Sequence, residues 1–107
     1  MTTAKFLFSD DVIVSIELSG HSDYAEEGAD IVCSAVSSAV YMAANTIIEI
    51  MKISPETVVR NGYLKLKMNL SDARKSKVIT DGLYLHLGEL QSQYPNNLKL
   101  ERGVFDA

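Results

Sequence analysis

A long, mostly apolar helical pattern constrains the fold more than any other feature of this sequence. The pattern predicts a helix from Asp30 to about Lys52. Nearly all of this helix is apolar, so we expect a sheet to cover one side and a second helix or a partner subunit to cover another. The exceptions recur every three or four residues and form one narrow polar stripe: Ser34, Ser38, Tyr41, Asn45, Glu49 and Lys52.

Strand patterns stand on both sides of this helix. Residues 5–8 are a short apolar run, followed by the turn residues Ser9-Asp10-Asp11. Residues 12–19 then alternate between apolar and polar side chains, with Ile13 as the exception, which predicts a hairpin with one buried face. After the helix, residues 57–60 and 63–70 predict a second hairpin around Asn61-Gly62, a pair that suits a type I′ turn.

The rest of the chain supplies one more helix and one more strand. Ser71-Asp72 can cap a helix that reaches about Gln93, residues 98–101 can form a final strand, and residues 103–107 are expected to fray. The order is therefore ββ-α-ββ-α-β, which predicts the α+β class: a two-layer α/β sandwich, a mixed sheet with two helices on one face. The buried stripe of the second helix is predicted to be Ile79, Leu83, Leu87, Leu90 and Tyr94.

Length, charge and cysteine content exclude several functional classes. With 107 residues, the chain is expected to form a single domain over 1–107. No apolar run approaches the roughly 20 residues of a membrane span. Residues 1–5 do not form a basic region followed by a long apolar core, so we expect no secretory signal and a cytoplasmic protein without a membrane partner. The net charge of −4 argues against direct nucleic-acid binding and favours a basic peptide partner.

Cys33, the one cysteine in the chain, is the candidate nucleophile. If Asp30 is the N-cap of the long helix, Cys33 is the third helical residue, where unpaired N–H groups and the helix dipole favour the thiolate. The alternative is a buried cysteine that acts as a small hydrophobic residue. Ser37, four residues further on, lies on the same helix face and can form a hydrogen bond near the sulfur or with its own backbone.

His21, at the exit of the second strand, is the candidate general base and acid. It can equally be a loop histidine bonded to the backbone. Asp30 is then either a simple helix cap or the group that orients His21. His86 falls off the predicted buried stripe and receives no role, and the ligand spacing indicates no metal site and no cofactor.

These residues together resemble the signature of the ribosomal-processing cysteine protease family, Prp. The signature reads Gly-His, a loop, Gly, then Asp-Ile-Val-Cys-Ala-Ala-Val-Ser. Here Gly20-His21 is followed by Gly28 and then by residues 30–37, which read Asp-Ile-Val-Cys-Ser-Ala-Val-Ser. Ser22 and Ser34 stand where the family usually has alanine, and both changes exchange one small residue for another.

The resemblance implies a bacterial, cytoplasmic homodimer that removes an N-terminal extension from a large-subunit ribosomal protein. Cys33 would be the nucleophile and His21 the general base and acid, working through a thioester acyl-enzyme. The loop at 22–29 would close over an extended peptide. The supporting or substrate-binding residues would be Gly20, Gly28, Asp30, Ser34 and Ser37.

Two other functions remain open from the sequence. One is a non-catalytic, acidic, dimeric module that binds a basic ribosomal or assembly-factor segment. The other is a redox sensor that acts through Cys33 and does not need His21.

Overall fold

The computed structural model describes residues 1–20 and 29–105 of the chain. Within these residues, five strands form one mixed sheet in the order β3-β4-β2-β1-β5. Strand β5 is parallel to β1, and the other neighbouring strands are antiparallel. The strands are β1 (Thr2–Ser9), β2 (Val12–Ser19), β3 (Glu56–Arg60), β4 (Tyr63–Lys67) and β5 (Leu98–Val104).

The helices differ from the prediction in their subdivision. The first is α1 (Ala29–Asn45), which continues as a π-helical segment, Thr46–Ile50. At the junction, the Thr46 hydroxyl donates to the Met42 carbonyl oxygen at 2.8 Å, and such a bond competes with the regular helical pattern. The expected second helix is two helices, α2 (Leu70–Lys75) and α3 (Lys77–Gln93).

The start of α2 also differs, because Asn69 rather than Ser71 or Asp72 caps it. The Asn69 side chain accepts a hydrogen bond from the Asp72 N–H at 2.8 Å. The break before α3 falls at Ser76, which is buried with its hydroxyl 3.6 Å from the sulfur of Met68. This polar contact is a tertiary one, so the local pattern did not indicate the break.

The two long helices pack on the same face of the sheet, which confirms the two-layer α+β sandwich. One buried cluster joins the inner side of α1 and α3 to the strands, and it includes Val36, Leu87, Phe6 and Ile16. The opposite face carries polar side chains in register across the strands, such as Lys65, Glu17 and Lys5. The predicted stripe of α3 is buried or half-buried, and His86 is exposed, as expected.

Strand β2 has the predicted bounds, and the structure explains why Ile13 departs from the alternation of the strand. A register shift between Leu7 and Phe8 brings Phe8 opposite Ile13 instead of Val14. Such a bulge reverses the alternation locally. Ile13 is therefore fully buried and joins the core between sheet and helices.

The first hairpin turn lies where it was predicted, but the second differs in type from the prediction. In the second hairpin Gly62 has a positive φ of 73° but Asn61 does not, so the turn is not type I′. The first hairpin has positive φ at Asp10 (49°) and Asp11 (63°), the combination that defines a type I′ turn. Aspartate tolerates this conformation because its short polar side chain can bond locally.

The C-terminal end is more ordered than predicted. Gly103 and Val104 belong to β5, where they pair with Leu7 and Phe8 of β1, so the expectation of fraying is wrong for them. The Phe105 N–H then donates to the Phe8 carbonyl oxygen at 2.9 Å. Residues 106–107 lie outside the described residues.

The outer side of α1 is more exposed than the sequence led us to expect. The predicted polar stripe is exposed, but so are the apolar side chains of Ile31 (67%), Met42 (55%) and Ile50 (77%). In the described part of the chain, Ile31–Ile50 is long and apolar enough to cross a membrane by length and composition alone, so the expectation that no run approaches that length is wrong. Its inner side packs on the sheet through Val36 and other core residues, a pattern that a core helix also gives.

Gly82 lies inside α3 and offers a direct test of helix propensity. A Cβ added there would meet no atom within 4 Å, so alanine introduces no clash. We expect Gly82→Ala to raise the free energy of unfolding by about 1 kcal/mol, because glycine costs about that much in a helix interior. Urea denaturation measures the change, and an unchanged or lower midpoint would contradict it.

Candidate active site

Cys33 lies in α1, on the side of the helix that meets one end of the sheet. Because α1 begins at Ala29, Asp30 is the second helical residue rather than the residue before the helix, and Cys33 is the fifth. The expectation of Asp30 as N-cap and Cys33 as third helical residue is therefore wrong. In the described part of the chain the helix already includes Ala29, so it extends at least one residue further toward the N-terminus than predicted.

This placement changes the role of one backbone group. In an α-helix, the N–H of a residue bonds the carbonyl oxygen four residues earlier, which for Cys33 is that of Ala29. The Cys33 N–H is therefore paired within the helix. A third helical residue, in contrast, would have left this N–H unpaired and able to donate to an oxyanion.

The side chain of Cys33 is accessible. It is partly exposed, and it lines a groove of about 260 Å³ together with residues of α1 and of the sheet. Cys33, Ser37 and Tyr41 form the helix wall, at the four-residue spacing that places side chains in one row. The reading of Cys33 as a fully buried hydrophobic residue is thereby excluded.

The opposite wall comes from the second hairpin. It consists of the end of β3, the turn and the start of β4: Val59, Arg60, Asn61, Gly62, Tyr63 and Leu64. Leu18, at the end of β2, contributes to the groove from the strand between the hairpin and β1. The hairpin residues lie far from Cys33 in the sequence, and no local pattern predicted that they would line the groove. On the helix wall, the eight-residue spacing from Cys33 to Tyr41 could have identified Tyr41 as a groove residue.

Gly20 joins β2 to this groove through a constrained backbone. Its φ is +99°, and an added Cβ would overlap the carbonyl oxygen of Met1. Its N–H donates to the Gly62 carbonyl oxygen at 3.1 Å, which ties the end of β2 to the hairpin turn. Only glycine adopts this conformation at low cost, which gives Gly20 a physical role at the edge of the groove.

The hairpin is held on the other face of the sheet by a polar contact. The Tyr63 hydroxyl donates to Oε2 of Glu17 at 2.9 Å and thereby ties β4 to β2. This hydrogen bond to a carboxylate raises the pKa of Tyr63 above its ordinary value. The guanidinium carbon of Arg60 lies 4.6 Å from the centre of the Tyr63 ring, a cation–π contact.

The other predicted site residues are distributed unevenly. Ser37 lines the groove with Cys33, as the spacing suggested, whereas Ser34 is exposed and does not line it. His21 and Gly28, and the loop over 22–28, lie outside the described residues. Over 1–20 and 29–105, no three His, Cys, Asp or Glu side chains are grouped closely enough to hold a metal ion.

A larger concavity of about 480 Å³ lies at the opposite end of the sheet. It is lined by the end of β1, the start of β3 and the end of β4, including Ser9, Glu56 and Lys67. The Cys33 groove is lined by the other ends of the same strands. Size alone would favour the larger concavity, but the chain's one thiol lies in the smaller groove, which we therefore take as the candidate active site.

Comparison with known proteins gives consistent matches over nearly the whole chain. The chain is 29% identical over 98 residues to the ribosomal processing cysteine protease Prp of Bacillus subtilis (strain 168), covering 86% of this chain and 88% of that protein. It is 22% identical over 90 residues to the protein of the same name from Staphylococcus aureus (strain Mu50 / ATCC 700699), covering 82% and 85%.

Solved structures share the fold. The structure of the ribosomal processing protease Prp from S. aureus in complex with a substrate peptide matches with a TM-score of 0.86 at 21% identity, over 95% of this chain and 99% of that chain. SMU.848 from Streptococcus mutans matches with a TM-score of 0.81 at 26% identity, over 98% and 96%. The model of the family described as cysteine protease Prp matches residues 1–99, and this chain therefore belongs to that family of cysteine proteases.

Proposed function

We propose that this chain is a cysteine endopeptidase that removes the N-terminal extension of a large-subunit ribosomal protein, using Cys33 and His21. One observation carries the proposal: the partly exposed thiol of Cys33 lines a groove whose rim includes Gly20, the residue that directly precedes His21 in the sequence. Cysteine proteases need an accessible thiol beside a base, and the groove offers space for a peptide next to the sulfur.

The proposed chemistry proceeds through two displacements. The imidazole of His21 takes the proton of Cys33, and the thiolate sulfur attacks the scissile carbonyl carbon. The tetrahedral oxyanion collapses as His21 gives the proton to the leaving amine, the C–N bond breaks and a thioester forms. Water then gives a proton to His21 and attacks the thioester, the C–S bond breaks, and the thiol recovers its proton as the carboxylate product leaves.

The oxyanion needs donors other than the Cys33 N–H, which is paired in α1. The Ser37 hydroxyl is one candidate donor, since it lies one helical turn beyond Cys33 and lines the same groove. Preorganised donors of this kind contribute substantially to catalysis in hydrolases. Asp30 stays a predicted supporting residue, either at the helix start or toward His21.

The substrate assignment draws on charge and on the relatives. Ribosomal proteins are basic as a class, and the net charge of −4 favours such partners over nucleic acid. The relatives are named ribosomal processing proteases, and one solved relative holds a substrate peptide. We therefore expect this chain to act in the bacterial cytoplasm on the N-terminal segment of a large-subunit ribosomal protein.

Incubation with synthetic peptides that carry ribosomal-protein N-termini, followed by mass spectrometry of the products, tests this function. We expect a single cleavage in the N-terminal extension. The same protein with its thiol blocked by iodoacetamide is the control. If neither preparation cleaves any of these peptides, the proposal of a processing protease fails and the binding module becomes the better reading.

A homodimer is the second element of the proposal. The outer side of α1, together with the π-helical segment that continues it, exposes apolar side chains, with Ile31, Met42 and Ile50 among them. Burying such surface is a common basis for self-association. Two-fold symmetry would place the same side of α1 from both subunits against each other.

Replacing Met42 by lysine should convert this dimer to a monomer, because a buried unpaired charge at an interface is strongly unfavourable. Sedimentation equilibrium measures the mass, and we expect the dissociation constant to rise at least about 100-fold. Val78→Lys is the matched control, since Val78 is 89% exposed and belongs to α3 rather than α1. A parent protein that sediments as a monomer would rule out the dimer.

A further inference from the structure

The outer edge of β3 is unpaired within the described part of the chain. The strand order places β3 at one end of the sheet, with β4 on its inner side. All five of its residues are exposed, including Val58 and Val59. Exposed strand edges present N–H and C=O groups that can pair with another extended chain.

The hydrogen-bond pattern shows which β3 groups point outward. The Met68 N–H donates to Val14 and the Gly20 N–H donates to Gly62, so even-numbered residues of the β4 line bond toward β2. In an antiparallel ladder alternate residues bond to opposite sides, and the odd-numbered residues of β4 therefore bond toward β3.

The register then assigns the β3 residues. Tyr63 and Lys65 pair with Arg60 and Val58, whose N–H and C=O groups consequently point toward β4. The intervening residues, Thr57 and Val59, direct theirs to the open edge. These two residues are two positions apart, about 6.8 Å along the strand, which is the spacing that an added strand requires.

This open edge is continuous with the Cys33 groove. Val59 and Arg60, at the end of β3, line the groove across from the helix wall that carries Cys33. A peptide paired with Val59 would therefore enter the groove that contains the sulfur. Earlier residues of β3 would hold the adjoining part of the peptide extended, as in other proteins that bind peptides by strand addition.

We propose that the outer edge of β3 binds the substrate peptide as an added strand, with the N–H and C=O groups of Thr57 and Val59 pairing with the main chain of the peptide. This inference rests on the proposed peptidase function and adds the binding mode. Main-chain pairing fixes an extended conformation and depends little on the side chains of the peptide. Side-chain selection is left to the groove, where Val59, Leu64 and Tyr41 present apolar surface.

N-methylation of the peptide, one amide at a time, tests the pairing. Methylating an amide that faces β3 removes a hydrogen bond, and we expect binding to weaken by about 3- to 10-fold, whereas the intervening amides tolerate methylation. Dissociation constants are measured by fluorescence anisotropy with Cys33→Ala protein, so that cleavage does not interfere. Methylation effects with no alternation along the peptide would overturn the proposal.

Variants of β3 provide the matching test from the protein side. Val59→Pro removes an outward N–H, and proline is tolerated at such edge positions, so we expect a folded protein that binds the peptide about 3- to 10-fold more weakly. Val59→Thr keeps the N–H and a similar shape, so it controls for the side chain. Equal binding by Val59→Pro and the parent would contradict the pairing, and a changed sedimentation mass would assign the edge to a second copy instead.

The two proposals fail in different ways. If the parent protein does not cleave the unmethylated peptide, the peptidase function is wrong. If it cleaves that peptide and all methylated forms at the same rate, the function stands and the strand addition is wrong.

Discussion

Replacing Cys33 by alanine should lower kcat/KM for peptide cleavage by at least about 10,000-fold, because no other group in the chain can form the thioester. The side chain is partly exposed in α1, so its loss leaves little cavity and the fold should persist. Product formation is followed by mass spectrometry with a long incubation, which detects a residual rate.

Replacing His21 by alanine should cause a loss of similar size, since nucleophile and base act as one unit and their effects do not add. His86→Ala is the matched control, because His86 is exposed on α3 and should tolerate the change. His21→Ala should lose cleavage while Cys33 keeps its sensitivity to oxidation by hydrogen peroxide, because a redox sensor that acts through Cys33 does not need His21. Full cleavage by His21→Ala would refute the dyad, and unchanged cleavage by Cys33→Ala would refute a thiol mechanism altogether.

The local patterns predicted much of the fold correctly. The bounds of β2, Val12–Ser19, are the observed ones, because alternation with one buried face leaves little freedom of register. The end of α3 at Gln93 and its buried stripe are likewise confirmed. Periodicity succeeded where one side of an element faces the core and the other faces solvent.

The errors arose where contacts distant in sequence decide the conformation. The Ser76 hydroxyl at the break lies 3.9 Å from the sulfur of Met51, 25 residues earlier, and the pairing of Gly103 and Val104 depends on β1. Sequence reasoning also expected a type I′ turn at Asn61, whereas the structure has its type I′ turn at Asp10-Asp11. Residue preferences alone therefore did not show which of the two turns is type I′.

The candidate site was predictable in part for the same reason. The row from Cys33 to Ser37 follows from helical spacing and was expected. The hairpin wall of the groove, with Val59 and Gly62, requires the strand order β3-β4-β2, which no local pattern supplies. The sequence therefore predicted the nucleophile, whereas the groove beside it could be recognised only from the topology of the sheet.

Gly20→Ala should lower the free energy of unfolding by about 2 to 3 kcal/mol, which is the cost expected for a strained backbone conformation. Two causes act together: φ is +99°, and the new Cβ would overlap the Met1 carbonyl oxygen, a backbone atom directly before β1. Relief of the overlap would displace the end of β2 and weaken the bond from the Gly20 N–H to Gly62.

Urea denaturation of Gly20→Ala beside Gly82→Ala isolates this effect, since the same chemical change should destabilise at one position and stabilise at the other. Peptide cleavage measured below the unfolding transition gives the functional consequence. A displaced strand end would move His21 relative to Cys33, so kcat should fall more than KM rises. A variant with parental stability would show that the backbone at Gly20 accepts a side chain, and the constraint that links β2, the hairpin turn and the groove would then have to be abandoned.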